Sequence, residues 1–287
     1  MPSPRFEAFF QGLRDLGSVH GQSITIDYLI GDGRSEKFPE LAAECVRRKA
    51  DIVVVSTTPA AHAAKSATRT IPIVMVALGD PVGTGLVDSL ARPGGNLTGM
   101  SSMTSDLAAK RLELLKQAVP AISRVLVLAY LIDPIAPLQV KALKEAAALL
   151  SVTLLILDIG TADDLPAAFD AGVRDRAEGL LTTSASIFSV QRARVSDLAA
   201  RHRLPAVYPF SAFPRDSGGL MAYAVNDGEL HKHAAAYVGR ILKGAKPSDL
   251  PVQQTTRFEL VINMKTAKAL GLTIPPSLLV QADEIIQ

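Results

Sequence analysis

Short apolar runs rich in Val, Ile and Leu alternate with amphipathic stretches along the whole chain. The runs SITIDYL (23–29), DIVVVS (51–56), IPIVMVA (71–77), NLTGMS (96–101), RVLVLA (124–129), TLLILDI (153–159), GLLTTS (179–184), LPAVYPF (204–210), GLMAYA (219–224) and FELVI (258–262) read as strands. Most lack polar alternation, as strands covered on both faces do. Between them the pattern predicts helices near 5–16, 36–49, 59–69, 82–91, 105–118, 137–150, 163–174, 189–202, 228–243 and 264–270. The first carries Phe6, Phe9, Phe10, Leu13 and Leu16 on one helical face.

Strand–helix alternation of this regularity implies βαβ units and an α/β protein with doubly wound parallel sheets. Ten strands suit two such lobes better than one. The first lobe's strands should precede residue 98, and the second's should lie between 99 and 217. Lys243-Gly244-Ala245-Lys246-Pro247 reads as a helix stop followed by a connector. The chain opens with a helix where a doubly wound lobe opens with a strand. In the order 2-1-3-4-5 strand 1 is central. Its absence predicts a gap between the 23–29 and 51–56 strands and poor cover for the aromatic face of helix 5–16. The expectation is therefore that the first strand of lobe one is missing, that the natural chain extends further upstream, and that Met1 is not its true beginning.

Composition narrows the function. At 287 residues and 48% hydrophobic, the chain can bury two cores. A net charge of +2 with scattered basic residues gives no case for nucleic acid or an anionic membrane as partner. The longest basic cluster, Arg47-Arg48-Lys49, sits at a helix end, where cations are favoured. The lone Cys45 excludes an internal disulfide framework and a Cys-based zinc site, and reads as a small packed residue. No apolar run is long enough to cross a membrane, so no direct membrane insertion is expected. The opening MPSPRFEAFF lacks the apolar core of a signal peptide.

In open α/β sheets, ligands lie beyond the carboxyl ends of the strands. The loop Ser56-Thr57-Thr58 follows a strand and begins a helix. Thr58 is its expected N-cap, and its free N–H groups and hydroxyls suit a carboxylate or phosphate, or serve as an ordinary cap. In Gly79–Gly85, Asp80 can accept from a ligand amine or hydroxyl, or cap the next helix, with Pro81 beside it. The glycines there lack the third position of a dinucleotide fingerprint. Ser101, ending the 96–101 strand, joins this set. Arg92–Asn96 is a structural turn. In the second lobe the corresponding loops are Tyr130–Pro134, Thr182–Phe188 and Tyr208–Phe213. They offer the hydroxyls of Thr183, Ser184 and Ser186, and the rings of Tyr208, Phe210 and Phe213, which suit either ligand stacking or core packing. Tyr223, after Gly218-Gly219, is placed near a hinge. His62, one turn into the helix after Thr58, faces a cleft or is simply packed. His231 and His233, two apart on a helix, do not share a face and make no metal site. No catalytic motif is present, and no cofactor or metal is expected.

The stretches FFQGLRDLG, TTPAAHAAKSATRTIPIVMVALGDPVGTGLVDSLARPGGNLTGMS, LAARHRLPAVY, GGLMAYA and HAAAYVGRILKGAKPSDLPVQQTTRFELVINMKTAKALGLTIPPSLLVQADEII resemble the ABC-transporter substrate-binding proteins of the tryptophan/tyrosine-binding type. The resemblance runs from Phe6 to the end. It implies a type I periplasmic-binding-protein fold, with two α/β lobes joined by three crossings near 99–102, 217–220 and 251–257. Lobe one would be 1–98 plus 219–252, and lobe two 99–218 plus 253–287. It further implies a small-molecule ligand in the interlobe cleft, an aromatic amino acid or related carboxylate. Ser56–Thr58 would hold the ligand carboxylate, and Asp80 an amine or hydroxyl. The partners implied are ABC permease subunits, the state a monomer and the location periplasmic. Family members carry an export signal or lipid anchor and an opening strand, both lacking here, which accords with the expected truncation. The alternative is a non-exported sensor or regulator on the same fold.

Overall fold

The structure, a computed structural model, describes residues 4–287, with side chains described from Phe6 onward; the expectation about Met1 lies outside the described residues. Two compact units form, Met1–Met103 with Asn226–Arg257, and Thr104–Val225 with Phe258–Gln287. Each break falls later than the sequence suggested. The largest consequence concerns the 219–224 strand, expected in the first unit, which lies in the sheet of the second.

The first unit contains α1 (Pro4–Asp15), α2 (Phe38–Arg47), β1 (Val53–Val55), α3 (Thr58–Ala67), β2 (Ile73–Leu78) and β3 (Leu97–Ser101). The second continues with α4 (Thr104–Ala118), β4 (Arg124–Ala129), α5 (Ala136–Leu150), β5 (Thr153–Asp158), α6 (Leu165–Arg174), β6 (Gly179–Thr182), α7 (Ser186–Val190), α8 (Arg192–Arg201), β7 (Ala206–Tyr208), α9 (Ala212–Asp216) and β8 (Met221–Val225). The chain then returns to the first unit for α10 (Asp227–Leu242) and β9 (Gln253–Gln254). It ends in the second with β10 (Phe258–Asn263), α11 (Met264–Ala269), α12 (Pro276–Gln281) and β11 (Glu284–Ile286).

The first sheet has the order β1-β2-β3-β9, all parallel. β2 is buried at nearly every position, as a strand covered on both faces must be. Gly99 in β3 has φ of +133°, and a Cβ there would stand 2.2 Å from Met75 O, so only glycine lets β3 lie this close to β2.

Three expectations fail in this unit. Residues 23–29 form no strand. A lone bridge joins His20 and Ile24, and no ladder from this segment to another strand forms among the described residues. The helix near 82–91 is replaced by turns, as Gly85 adopts φ of +73° and Pro81 O collects the N–H groups of Leu86 (2.8 Å) and Val87 (3.1 Å). The aromatic face of α1 is covered in part, because α1 packs along α10, with Phe6 and Phe10 half-buried and Leu16 exposed. Phe9 and Leu13 are buried, the Phe6 ring meets His231 edge-on, and Asp15 pairs with Lys232 at 3.2 Å. The small Gly12 and Ala235 allow the close approach.

The second sheet has the order β11-β10-β8-β7-β6-β4-β5. It departs from the all-parallel expectation at one pair, since β8 and β10 run antiparallel with Val225 opposite Phe258. Alternate residues of each strand feed two separate cores. Val125, Val127, Leu181, Val207 and Met221 belong to one, and Leu126, Leu128, Leu180, Ala206 and Ala222 to the other. Arg111 of α4 is buried beneath this sheet. Its Nε donates to Tyr223 O at 2.9 Å, while Nη1 and Nη2 have no hydrogen-bond partner among the described residues. Burial pushes the guanidinium down to about 9, which still leaves it charged at neutral pH.

Candidate functional site

In the first unit the loop after β1 begins α3. The N-cap is Thr57, not Thr58. Thr57 has extended backbone, and its Oγ1 accepts from Ala60 N at 3.3 Å while its carbonyl accepts from Ala61 N at 3.0 Å. Pro59 has no N–H. Of the first helical donors, Thr58 N is the one left over among the described residues. Ser56 is exposed and Thr58 buried, so hydroxyls at two depths flank that donor.

The loop after β2 is rigidly braced. Asp80 takes the capping role, with Oδ1 accepting from Gly83 N at 2.8 Å and its carbonyl from Thr84 N and Thr84 Oγ1. Pro81 is buried. Ser101 is fully buried, and its hydroxyl is spent on Gly79 O at 2.7 Å. His62 of α3 reaches the Thr84 backbone, and Lys65 reaches Leu86 O at 2.8 Å, so α3 clamps this loop. Burial, aided by Lys65, lowers the His62 pKa below the usual range and favours the neutral ring. A separate polar pocket of about 330 Å³ lies by β9, lined by Glu229, His233, Gln253, Gln254, Thr255 and Arg257 among others. Sequence reasoning did not anticipate it.

In the second unit the loops after β4 and β6 are sewn together. Thr183 Oγ1 accepts from Tyr130 N at 3.2 Å, and Thr183 N donates to Leu128 O at 2.9 Å. Ser184 N donates to Gln139 Oε1 at 3.0 Å, and Gln139 Nε2 meets Ser184 Oγ and Thr104 O. Gln139, wholly buried, therefore ties α5 to the start of α4 and to the β6–α7 loop. Asp133 is 4% exposed, and burial raises its carboxyl pKa to about 6.

The aromatic candidates divide. Tyr208 and Phe213 stack on each other at 4.0 Å, and both are buried in a core. Their faces are already covered, so neither offers a ligand platform, and burial pushes the Tyr208 hydroxyl far up. Phe210 is half-buried at the edge of the same core. Tyr223 lies in β8 with its ring 6.0 Å from Phe258. The structure thus gathers Thr183 and Ser184 with Tyr130 and Gln139. It leaves Ser56 and Thr58 with open hydrogen-bonding groups, and commits Asp80, Ser101 and Tyr208 to the framework.

Gln139 and Asp133 were missed. Gln139 carried a signal: it is the polar member of the buried α5 stripe Ala136, Gln139, Leu143, Ala146 and Ala147. Asp133 lies within the Tyr130–Pro134 loop named from the sequence, which did not single it out. Among the described residues no group of His, Cys, Asp and Glu is placed to hold a metal, and no helix is long and apolar enough to cross a membrane.

Comparison with known proteins supplies the family. The sequence pattern described as ABC transporter substrate binding protein matches residues 5–286. A tyrosine-binding protein of Clostridioides difficile (strain R20291) is 29% identical over 266 residues, 93% of this chain and 76% of the relative. Among solved structures, a conserved domain protein from Vibrio cholerae superposes with a TM-score of 0.92 at 27% identity, covering 99% of this chain and 96% of that one. A Streptococcus pneumoniae ABC domain in complex with L-Trp gives a TM-score of 0.88 at 26% identity, covering 100% and 98%. The α/β architecture with parallel-sheet lobes is that of the type I periplasmic binding proteins, as the resemblance implied. The chain belongs to the family of ABC transporter substrate-binding proteins.

Proposed function

We propose that this protein is the substrate-binding component of an ABC importer, acting outside the cytoplasm, and that its ligand is an aromatic amino acid or a closely related carboxylate. The end-to-end family match carries the transport role. The ligand class is favoured by a tyrosine-binding relative and by a structural neighbour holding L-Trp. In this reading Ser56, Thr58 and the Thr58 N–H receive the ligand carboxylate in the first unit, a role that free donors at a helix start suit. Ser184 and the half-buried Phe210 contribute from the second. Asp80, Pro81, Ser101, Thr183 and Tyr208 shape the loops that present them. Binding needs no bond-making, so the work is recognition, handed on to permease subunits.

The test is a thermal-shift screen of the purified protein against amino acids and aromatic acids. L-tryptophan or L-tyrosine at 100 times its dissociation constant should add about 2.7 kcal/mol of stability. Replacing Ser56 and Thr58 together by Ala should remove most of that shift. A shift given by sugars or amines, with none from aromatic amino acids, overturns the ligand class.

A further inference from the structure

The pocket beside β9 carries hydrogen-bonding groups that the fold does not use. Its cavity of about 330 Å³ is lined by residues of the first unit alone. That volume lies at the small end of the roughly 300–1,000 Å³ typical of small-molecule sites. One wall is α10, where Glu229 and His233 stand four residues apart and so share a face. Another is the segment from Gln253 to Arg257, which is held in place. Thr255 N donates to Ser101 O at 3.2 Å, the Thr255 hydroxyl accepts from Arg257 N at 3.1 Å, and the Tyr237 hydroxyl donates to Pro251 O at 2.6 Å. The remaining side chains of the lining are uncommitted. Among the described residues those of His233, Gln253, Gln254 and Thr256 make no hydrogen bond. Arg257 Nη1 lies 3.7 Å from Glu229 Oε2, within ion-pair reach but too far for a hydrogen bond.

The two charges decide what fits. An anion would gain from Arg257 and be repelled by Glu229, and a cation would meet the reverse. A molecule bearing both charges gains from each, replacing one long ion pair by two charge-assisted hydrogen bonds. Opening the protein's own pair costs little, since the Arg257 side chain is 77% exposed and an exposed pair contributes about 0–1 kcal/mol. The carboxamides of Gln253 and Gln254 and the Thr256 hydroxyl can each donate and accept. They suit a polar substituent, and Met100 is the one apolar residue in the lining.

We propose that this pocket is a second ligand site, taking a small polar zwitterion of the amino-acid type. Its carboxylate meets Arg257, its ammonium meets Glu229, and its polar side chain lies among Gln253, Gln254 and Thr256. The proposal stands apart from the ligand proposed above, because it uses none of the same residues. Arg257 is the last residue of the first unit before the chain leaves it, so the occupant ties that departing segment to α10.

The experiment is an NMR titration of the whole chain that follows the His233 ring and the Gln253 and Gln254 side-chain amides. The probes are L-glutamine, L-serine and L-asparagine, with two analogues of L-glutamine: 4-carbamoylbutanoate lacks only the amine, and 4-aminobutanamide lacks only the carboxylate. At least one of the three amino acids should shift these signals saturably, with a dissociation constant of about 1 mM or tighter. Each single-charge analogue should bind at least about tenfold more weakly than L-glutamine, the size of one charge-assisted hydrogen bond. Arg257→Gln and Glu229→Gln should each weaken the amino acid by at least about tenfold. No saturable shift from any of the three by about 10 mM overturns the proposal. So does an analogue that binds as well as L-glutamine, a comparison that needs no variant. Shifts that persist at full affinity in both variants place the binding elsewhere and overturn it too. Saturation by glucose with none by the amino acids replaces the zwitterion by a neutral polyol and overturns the ligand class.

Discussion

Asp133 and Arg111 are both charged groups that folding has taken out of water, and each has a measurable cost. The Asp133 carboxyl is raised above its solution value, so the folded state holds its proton more tightly than the unfolded chain does. Its penalty is absent below pH 4, grows between pH 4 and about 6, and is fully present above that. Asp133→Asn should therefore stabilise the ligand-free protein by about 1–3 kcal/mol at pH 7.5 and by almost nothing at pH 4. Urea denaturation at the two pH values checks this. Arg111 is a different case, a guanidinium with two unpartnered nitrogens. Arg111→Met should be neutral, or stabilise by up to about 4 kcal/mol at pH 7. A loss of more than about 1 kcal/mol would mean that the buried charge is satisfied in the folded protein. At this scale the sequence was partly legible. Topology alone placed Ser56–Thr58 and Thr183–Ser184 at strand ends. It could not say that Ser101 turns its hydroxyl onto Gly79 O, or that Tyr208 faces Phe213, because those directions depend on neighbours remote in the chain.

Periodicity located most strands and helices of both units because each has a covered face that the pattern records. It failed where an element depends on something other than its own residues. Residues 23–29 have a strand's composition, yet among the described residues they make only the isolated bridge from Ile24 to His20. Residues 82–91 have a helix's apolar spacing, but Gly83, Gly85 and the Asp80 side chain favour turns. The helix expected over 189–202 breaks into α7 and α8 near Gln191. At the β2–β3 contact the backbone itself is the constraint. Gly99→Ala would set a Cβ against Met75 O in a conformation that L residues rarely adopt. It should cost about 2 kcal/mol or more, combining left-handed strain with a displaced strand. Chemical denaturation should report that loss, with a central-sheet signal such as amide exchange in β2 speeding up in parallel.

Neither unit is a continuous piece of chain: the chain passes from one to the other after Met103, Val225 and Arg257, where the resemblance implied crossings near 99–102, 217–220 and 251–257. The second unit is nonetheless close to continuous, since Val225 and Phe258 are direct partners on antiparallel strands. A two-residue Asn-Gly turn joining them should close β8 and β10 into a hairpin. Residues 104–225 so joined to 258–287 should unfold in one cooperative transition. Residues 104–225 alone leave the β8 edge unpaired and should aggregate. Size-exclusion chromatography and a urea titration of the two fragments distinguish these outcomes.

The packing of α1 on α10 has a consequence at the ribosome. After α1 emerges, residues 16–226 must be made before its partner exists, a wait of roughly 10–40 s at ordinary elongation rates. The last strands of the other unit come later still. A nascent chain halted at Val225 should accordingly be cut by protease throughout, with resistance gained only over the final stretch of synthesis. A polypeptide that stays unlocked until it is nearly finished is one that can still be threaded through a narrow translocation channel.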